Sequence, residues 1–279
     1  MIYQTIPIKA EGSLPDSRLI TYLQDHSDST AVKQRPLILI CPGGGYGYTS
    51  DREAEPVALA FLAMGYHAAV LRYSCAPATY PTALLELAAA IKLIREHAEE
   101  WYVDADRIVV EGGSAGGHLA ACLGMFWQED FLADRLGISH DRKKLLQPNG
   151  MILCYPVVTS GEFAHQGSFR NLIGERSTEE KERLMKKLSL ENQVTENTPP
   201  AFIWGTFEDK SVPMENSLLL VSAFRKAGIP VEYHLYPRGG HGLALANWQT
   251  ETSDHRHVQE EVSTWTGLAQ LWLKKLFEE

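Results

Sequence analysis

Cysteine is scarce in this chain, with four in 279 residues. Cys41, Cys75, Cys122 and Cys154 are scattered, and none forms a C-x-x-C pair, which argues against a zinc or redox site. They sit mostly inside or at the ends of apolar runs and read as small buried hydrophobes in a reducing compartment, so a cytoplasmic protein is expected. Runs of lysine and arginine are also missing. The formal net charge of −9 argues against nucleic acid and anionic membrane surfaces as partners. No apolar stretch approaches the roughly 20 residues of a membrane helix. The start, Met1-Ile2-Tyr3-Gln4-Thr5-Ile6-Pro7, lacks the basic, apolar and small-residue blocks of a signal peptide, so none is expected. There is no internal repeat and no low-complexity linker. What remains is 44% hydrophobic and 22% charged residues, ordinary values for a globular chain with a substantial core.

The apolar pattern alternates between strand and helix. Tyr3–Ile8 and Leu19–Gln24 read as antiparallel strands at a sheet edge. Pro36–Cys41 is continuously apolar, as a strand covered on both faces should be. A helix over Glu53–Met64 ended by Gly65, a strand over His67–Arg72 and a helix over Pro81–His97, with Pro81 in its first turn, follow in order. Arg107–Glu111, Met151–Tyr155, Ala201–Gly205 and Val231–Tyr236 read as further strands, and Glu215–Ala227 and Val258–Phe277 as helices. This order predicts an α/β fold: a mostly parallel, doubly wound sheet with helices on both faces. Between Pro156 and Pro200 no strong strand signal occurs, and the charged stretch Thr178–Lys187 is helical in pattern. Loops this long usually form lids or insertions. Residues 157–198 are therefore expected to cap the site, with a solvated helix on the sheet edge as the competing reading.

Four loops carry the chemistry. Gly112-Gly113-Ser114-Ala115-Gly116 is G-x-S-x-G between a strand and the helical stretch His118–Met125, the context in which a serine is held in a sharp turn above a sheet. Its small residues permit the turn, and the helix start aims free N–H groups at the hydroxyl. A serine needs a base, and the base needs an orienting acid. In a parallel sheet these belong on loops after the strands. After Ala201–Gly205 come Glu208 and Asp209; the G-x-x-x-D-x-x-V-P spacing favours Asp209, with Glu208 as its neighbour and rival. After Val231–Tyr236 comes Gly239-Gly240-His241-Gly242, making His241 the one histidine of ten set among glycines directly after the last strand. Pro42-Gly43-Gly44-Gly45-Tyr46 follows the first central strand. It has neither G-K-[ST] nor G-x-G-x-x-G, which argues against a phosphate cradle. The backbone N–H groups of Gly44, Gly45 and Ala115 are the candidate donors to a developing oxyanion. Tyr46, Tyr155 and Trp248, with Tyr48 and Tyr73, fall near the predicted rim, where they would wall a substrate pocket unless they serve as core.

With these residues the chain resembles the α/β-hydrolase superfamily, and more narrowly the small bacterial serine esterases of the acetyl-esterase and acetylxylan-esterase type. The resemblance rests on Pro42–Tyr46, Gly112–His118, Thr198–Phe202, Asp209–Pro213 and Gly240–Leu243, and spans most of the chain. It implies a single α/β-hydrolase domain over 1–279 with a small cap. It also implies a Ser114, Asp209, His241 triad, no cofactor, no metal, and hydrolysis of short-chain esters, often acetyl groups on sugars. Pro42 stands where this superfamily more often has histidine before the glycines. An amidase or peptidase of the same fold, arylformamidase- or prolyl-peptidase-like, and a non-catalytic binding protein are the alternatives. For a homodimer, the C-terminal helix and the edge strands are the surfaces on offer.

Overall fold

Period-two burial builds the centre of the molecule. The computed structural model describes residues 1–278, and its strands form one eight-stranded sheet. These are β1 (Ile2–Pro7), β2 (Arg18–Leu23), β3 (Arg35–Cys41), β4 (His67–Arg72), β5 (Val103–Gly113), β6 (Gly150–Cys154), β7 (Ala201–Thr206) and β8 (Val231–Tyr236). Their order across the sheet is β1-β2-β4-β3-β5-β6-β7-β8. β1 and β2 run antiparallel to their neighbours, and the remaining pairs are parallel.

Successive residues of β3 go to opposite faces: Leu37, Leu39 and Cys41 join one apolar cluster, Ile38 and Ile40 the other. The first cluster is completed by helices α2 (Thr82–Glu96), α3 (Ala115–Phe126) and α7 (Glu215–Ala227). The second is completed by α1 (Glu55–Ala63) and the C-terminal α9 (Trp265–Glu278). Both faces of the sheet are therefore covered, which is why its strands read as apolar runs rather than alternating ones. Among the described residues no helix is long and apolar enough to cross a membrane.

Several boundaries differ from the sequence expectation. β5 begins at Val103 because Val103 pairs with Arg35 across a register irregularity. Pro81 lies at the N-cap of α2, not inside its first turn. The C-terminal helix starts two residues later than Val258, since the Gln259 N–H is taken by the Ala246 carbonyl. It is then interrupted at Thr264, between α8 (Glu260–Ser263) and α9; the hydroxyls of Ser263 and Thr264 accept no helix role but donate to the carbonyls of Glu260 and Glu261. A short helix α4 (Asp130–Arg135) had no clear sequence signal.

The segment 157–198 holds α5 (Gln166–Ile173) and α6 (Thr178–Lys187). α6 forms over the stretch expected, with Ser177 capping its N-terminus through the Glu180 N–H, acids in its first turn and lysines in its last. It buries only Leu184. α5 was not anticipated. It is capped by the His165 ring, which accepts from the Ser168 N–H, and it buries Phe169, Leu172 and Ile173.

α3 crosses the end of β3 closely: a Cβ on Gly116 would lie 1.9 Å from the Cys41 carbonyl oxygen. Gly116→Ala must displace backbone there and should cost about 1–3 kcal/mol in a urea unfolding titration, against little loss for alanine at exposed Gly267, where an added Cβ would meet nothing.

Glu111, on β5, is buried within the second apolar face. One carboxylate oxygen accepts from the Cys154 thiol at 3.2 Å and the other has no partner among the described residues. Burial pushes its carboxyl up to about 8, with the Glu53 charge acting in the same direction. A raised folded-state pKa means stability present below the ordinary carboxylate range and lost as pH rises through about 8. Buried His67 and His118, both pushed down to about 4, act oppositely and lose stability as pH falls from about 6.5 toward 4. Glu111→Gln keeps an acceptor for the thiol and removes the ionisation. Its melting temperature should exceed that of the unsubstituted protein by several degrees more at pH 9 than at pH 5; an equal difference at both would contradict the assignment.

Candidate active site

Ser114 occupies the single residue between the end of β5 and the start of α3, at φ 53° and ψ −118°. An L-residue reaches this region only under constraint. The constraint is visible: the Ser114 N–H donates to the Cys154 carbonyl at 2.9 Å, and its carbonyl accepts from the His118 and Val157 N–H groups, each at 3.1 Å. On either side the backbone is too close for side chains. A Cβ on Gly112 would lie 2.3 Å from the Gly116 carbonyl oxygen. The two outer glycines of the motif are therefore required by contact, and the serine is left projecting, 6% exposed.

The structure brings Ser114, Asp209 and His241 together. Ser114 Oγ lies 2.7 Å from His241 Nε2, and His241 Nδ1 lies 2.6 Å from Asp209 Oδ2. Asp209 is buried, and its other oxygen accepts from the Ser211 and Val212 N–H groups at 2.9 and 3.0 Å. Those bonds fix the carboxylate with its second oxygen aimed at one ring nitrogen. A proton on Nδ1 directed to Asp209 leaves Nε2 as the acceptor for the serine hydroxyl. The neighbouring Glu208 does something else: it accepts from the Gly239 N–H at 3.0 Å and so supports the histidine loop.

The glycine loop lies across from this line. Gly44 and Gly45 have φ of 129° and 61°, and a Cβ on Gly44 would fall 2.1 Å from the Tyr48 carbonyl oxygen. Among the described residues, the N–H groups of Gly44, Gly45 and Ala115 donate to no protein acceptor. The Gly45 carbonyl is fixed by the Asn171 amide of α5 at 2.9 Å, and the Pro42 carbonyl by the Tyr73 hydroxyl at 2.6 Å. Pro42 thus leaves the loop ordered from outside, by residues on β4's exit and α5.

Three of the aromatic residues expected to wall the cleft do not. Tyr46 is buried beneath the glycine loop, its hydroxyl bonded to His118 Nδ1 at 2.9 Å. Tyr155 is buried beneath the histidine loop, because its hydroxyl donates to Glu53 at 2.7 Å and accepts from the Ala244 N–H at 3.0 Å. Trp248 points to solvent, 80% exposed, on a short turn. The cleft, about 420 Å³, is instead lined around Ser114 and His241 by polar groups, among them Tyr48, Glu53, His165, Asn171 and Ser211.

Arg52, Glu53, His165, Asn171 and His118, the buried partner of Tyr46, carry no site assignment from sequence. Arg52 donates to the carbonyls of Gly242 and Thr250, clamping the histidine loop. Glu53, 7% exposed, packs so near the elbow that a Cβ on Gly113 would meet its carboxylate at 2.3 Å. The signal available was an Arg-Glu pair between the glycine loop and a helix, but charges there are equally consistent with helix capping. His118 is fully buried and pushed down to about 4 by desolvation, so it is neutral. It accepts from Tyr46 and donates through Nε2 to the Leu188 carbonyl at 2.9 Å.

Residues 23–224 match the BD-FAE family model. The chain is similar to an acetyl ester-xyloside bifunctional hydrolase of Caldicellulosiruptor lactoaceticus: 36% identity, 98% of this chain and 96% of that one covered, TM-score 0.81. It is similar to endo-1,4-beta-xylanase B of Butyrivibrio fibrisolvens at 36% identity over 85% of this chain and 36% of that protein. It is 26% identical to an acetylxylan esterase of Xylanibacter ruminicola over 80% of this chain and 44% of that protein. The chain thus spans less than half the length of these two curated relatives. A glycine-gated serine elbow on a mostly parallel sheet and a family model matched over most of the chain lead to one statement: this protein belongs to the BD-FAE family and has the α/β-hydrolase fold.

Proposed function

We propose that the protein is a serine carboxylesterase that hydrolyses short-chain acyl esters, chiefly acetyl esters on carbohydrate, in the cytoplasm. The observation that carries the reading is the hydrogen-bonded line Ser114–His241–Asp209 on a cleft that Gly44 and Gly45 also line, with the N–H groups of Gly44, Gly45 and Ala115 free of protein acceptors among the described residues. In the first step His241 Nε2 takes the Ser114 proton as Oγ bonds to the ester carbonyl carbon. Gly44, Gly45 and Ala115 donate to the oxygen as it becomes negative, each such donor contributing roughly 3 kcal/mol. The imidazolium is stabilised by Asp209 and then protonates the departing alcohol, leaving an acyl-serine. Water deprotonated by the same nitrogen attacks the acyl carbon, and the serine recovers its proton as the carboxylic acid leaves.

The names of the relatives, an acetylxylan esterase and an acetyl ester-xyloside hydrolase, favour the carbohydrate acetate, as does the polar lining of the cleft. Residues 157–198 act as a cap in this reading, because His165 and Asn171 reach the cleft from α5. The cytoplasmic placement rests on four cysteines that are all free thiols.

Purified protein should hydrolyse p-nitrophenyl acetate faster than the octanoate and leave the matching anilides intact; preferential cleavage of anilides would favour the amidase alternative. A fluorophosphonate probe should label the unsubstituted protein and not Ser114→Ala, and failure to label would favour a binding protein. Ser114→Ala should lower kcat by about 10⁴-fold or more, and Asp209→Asn by about 10³–10⁴-fold with KM little changed. Full activity in Ser114→Ala would defeat the proposal.

A further inference from the structure

We propose that a second cavity beside the catalytic cleft binds a sugar unit of the carbohydrate that carries the ester; this deepens the carbohydrate-ester reading above and rests on it. The cavity, about 360 Å³, lies between the start of β2, the end of β4 and the loop after Gly45. Its size is that of a small-molecule site. The segment 47–53 divides it from the cleft. Gly47, Thr49 and Asp51 line the cavity, Ser50, Arg52 and Glu53 line the cleft, and Tyr48 lines both. An oligosaccharide whose acyl ester is seated at Ser114 can therefore pass over one exposed tyrosine ring into the second space.

Two residues that line this cavity each carry a buried polar atom with no partner among the described residues: Ser17 Oγ, on a residue 3% exposed, and Arg72 Nε. The rest of each residue is committed. Ser17 exchanges backbone hydrogen bonds with Ile8 and Leu14, and the terminal nitrogens of Arg72 serve Thr49 and Asp51. Buried polar atoms left unpaired in a native protein call for a partner, and here they call for an acceptor at the guanidinium and either role at the hydroxyl. The formal charges cancel, with Arg18 and Arg72 against Asp16 and Asp51. That balance disfavours an anion or a cation. Donors, acceptors and an aromatic face together suit a neutral polyhydroxylated ring.

The probes are acetylated xylotriose, methyl O-acetyl-xyloside and p-nitrophenyl acetate, chosen from the xylan substrates in the relatives' names. The unsubstituted protein should show a KM for the trisaccharide at least about fivefold below that for the monosaccharide. Ala76→Trp, which fills the cavity from an exposed position, should raise the trisaccharide KM about tenfold and leave p-nitrophenyl acetate turnover within about twofold. Ser17→Ala should raise it about threefold by the same criterion, and it decides the matter if the tryptophan variant does not fold. Calorimetry of Ser114→Ala with unesterified xylotriose should show binding that Ala76→Trp added to it weakens. Equal KM values for the two sugars, or no xylotriose binding, would mean that the cavity holds only water and would overturn the proposal. Absence of hydrolysis of every ester would instead defeat the esterase reading, and the calorimetry would still report on the cavity.

Discussion

Backbone touching backbone where β5 meets α3 is the constraint on which the rest of the molecule depends. A serine with φ near +53° is strained by one or a few kcal/mol, and it stays there only because its surroundings leave no alternative. Its N–H and C=O are both consumed, by Cys154 on one side and His118 and Val157 on the other. The glycines at 112 and 116 let the following helix fold back against β5 and against the end of β3. That return brings Gly116 against the Cys41 and Pro42 carbonyls, at the base of the glycine loop. One steric arrangement thus fixes both the serine of the elbow and the approach of its helix to the glycine loop, without help from the strength of any single hydrogen bond.

The histidine loop has no comparable backbone lock. Gly239, Gly240 and Gly242 make it pliable, so side chains hold it instead. Arg52 takes the Gly242 carbonyl, Glu208 the Gly239 N–H, Thr206 the Gly239 carbonyl, and Tyr155 the Ala244 N–H. Trp265 of α9 takes the Ala244 carbonyl. Tyr155 is itself anchored on Glu53, and its ring meets that of His241 edge-on at 5.2 Å. The adjacent residues Arg52 and Glu53 therefore reach the same loop by two routes, one direct and one through a tyrosine. A shift of the segment joining the glycine loop to α1 would be felt at the imidazole.

The fold and the line of three side chains were legible because the signals are local and of high contrast. Apolar runs of strand length separated by amphipathic stretches mark a parallel sheet, and functional loops follow its strand ends in order. The choice between Asp209 and Glu208 depended on one residue of spacing, and both turn out to support the same loop in different ways. Tyr46 and Tyr155 do not wall the cleft, because sequence shows that a tyrosine is near a loop, not on which side of it. Tyr46 and Tyr155 carry positive φ and turn inward, where their hydroxyls meet buried partners. α5 was invisible for a different reason: with eight residues and a histidine as its cap, it offers neither length nor a familiar start.

That hidden helix is bonded to the glycine loop. Asn171 of α5 holds the Gly45 carbonyl, one peptide beyond the unit that carries the Gly45 N–H, whose own carbonyl, that of Gly44, accepts from the Gly47 and Tyr48 N–H groups. At the far end of the same segment, Leu188 accepts from His118, and His118 accepts from Tyr46 in the glycine loop. The segment most free of motif is therefore bonded to the glycine loop directly at one end and, at the other, through a histidine in the nucleophile helix. Desolvation keeps that histidine neutral, so it can accept at Nδ1 while donating at Nε2; a protonated ring would lose the tyrosine bond. The positions equivalent to Asn171 and Leu188 in the bonding pattern cannot be moved without disturbing the loop that would stabilise the transition state.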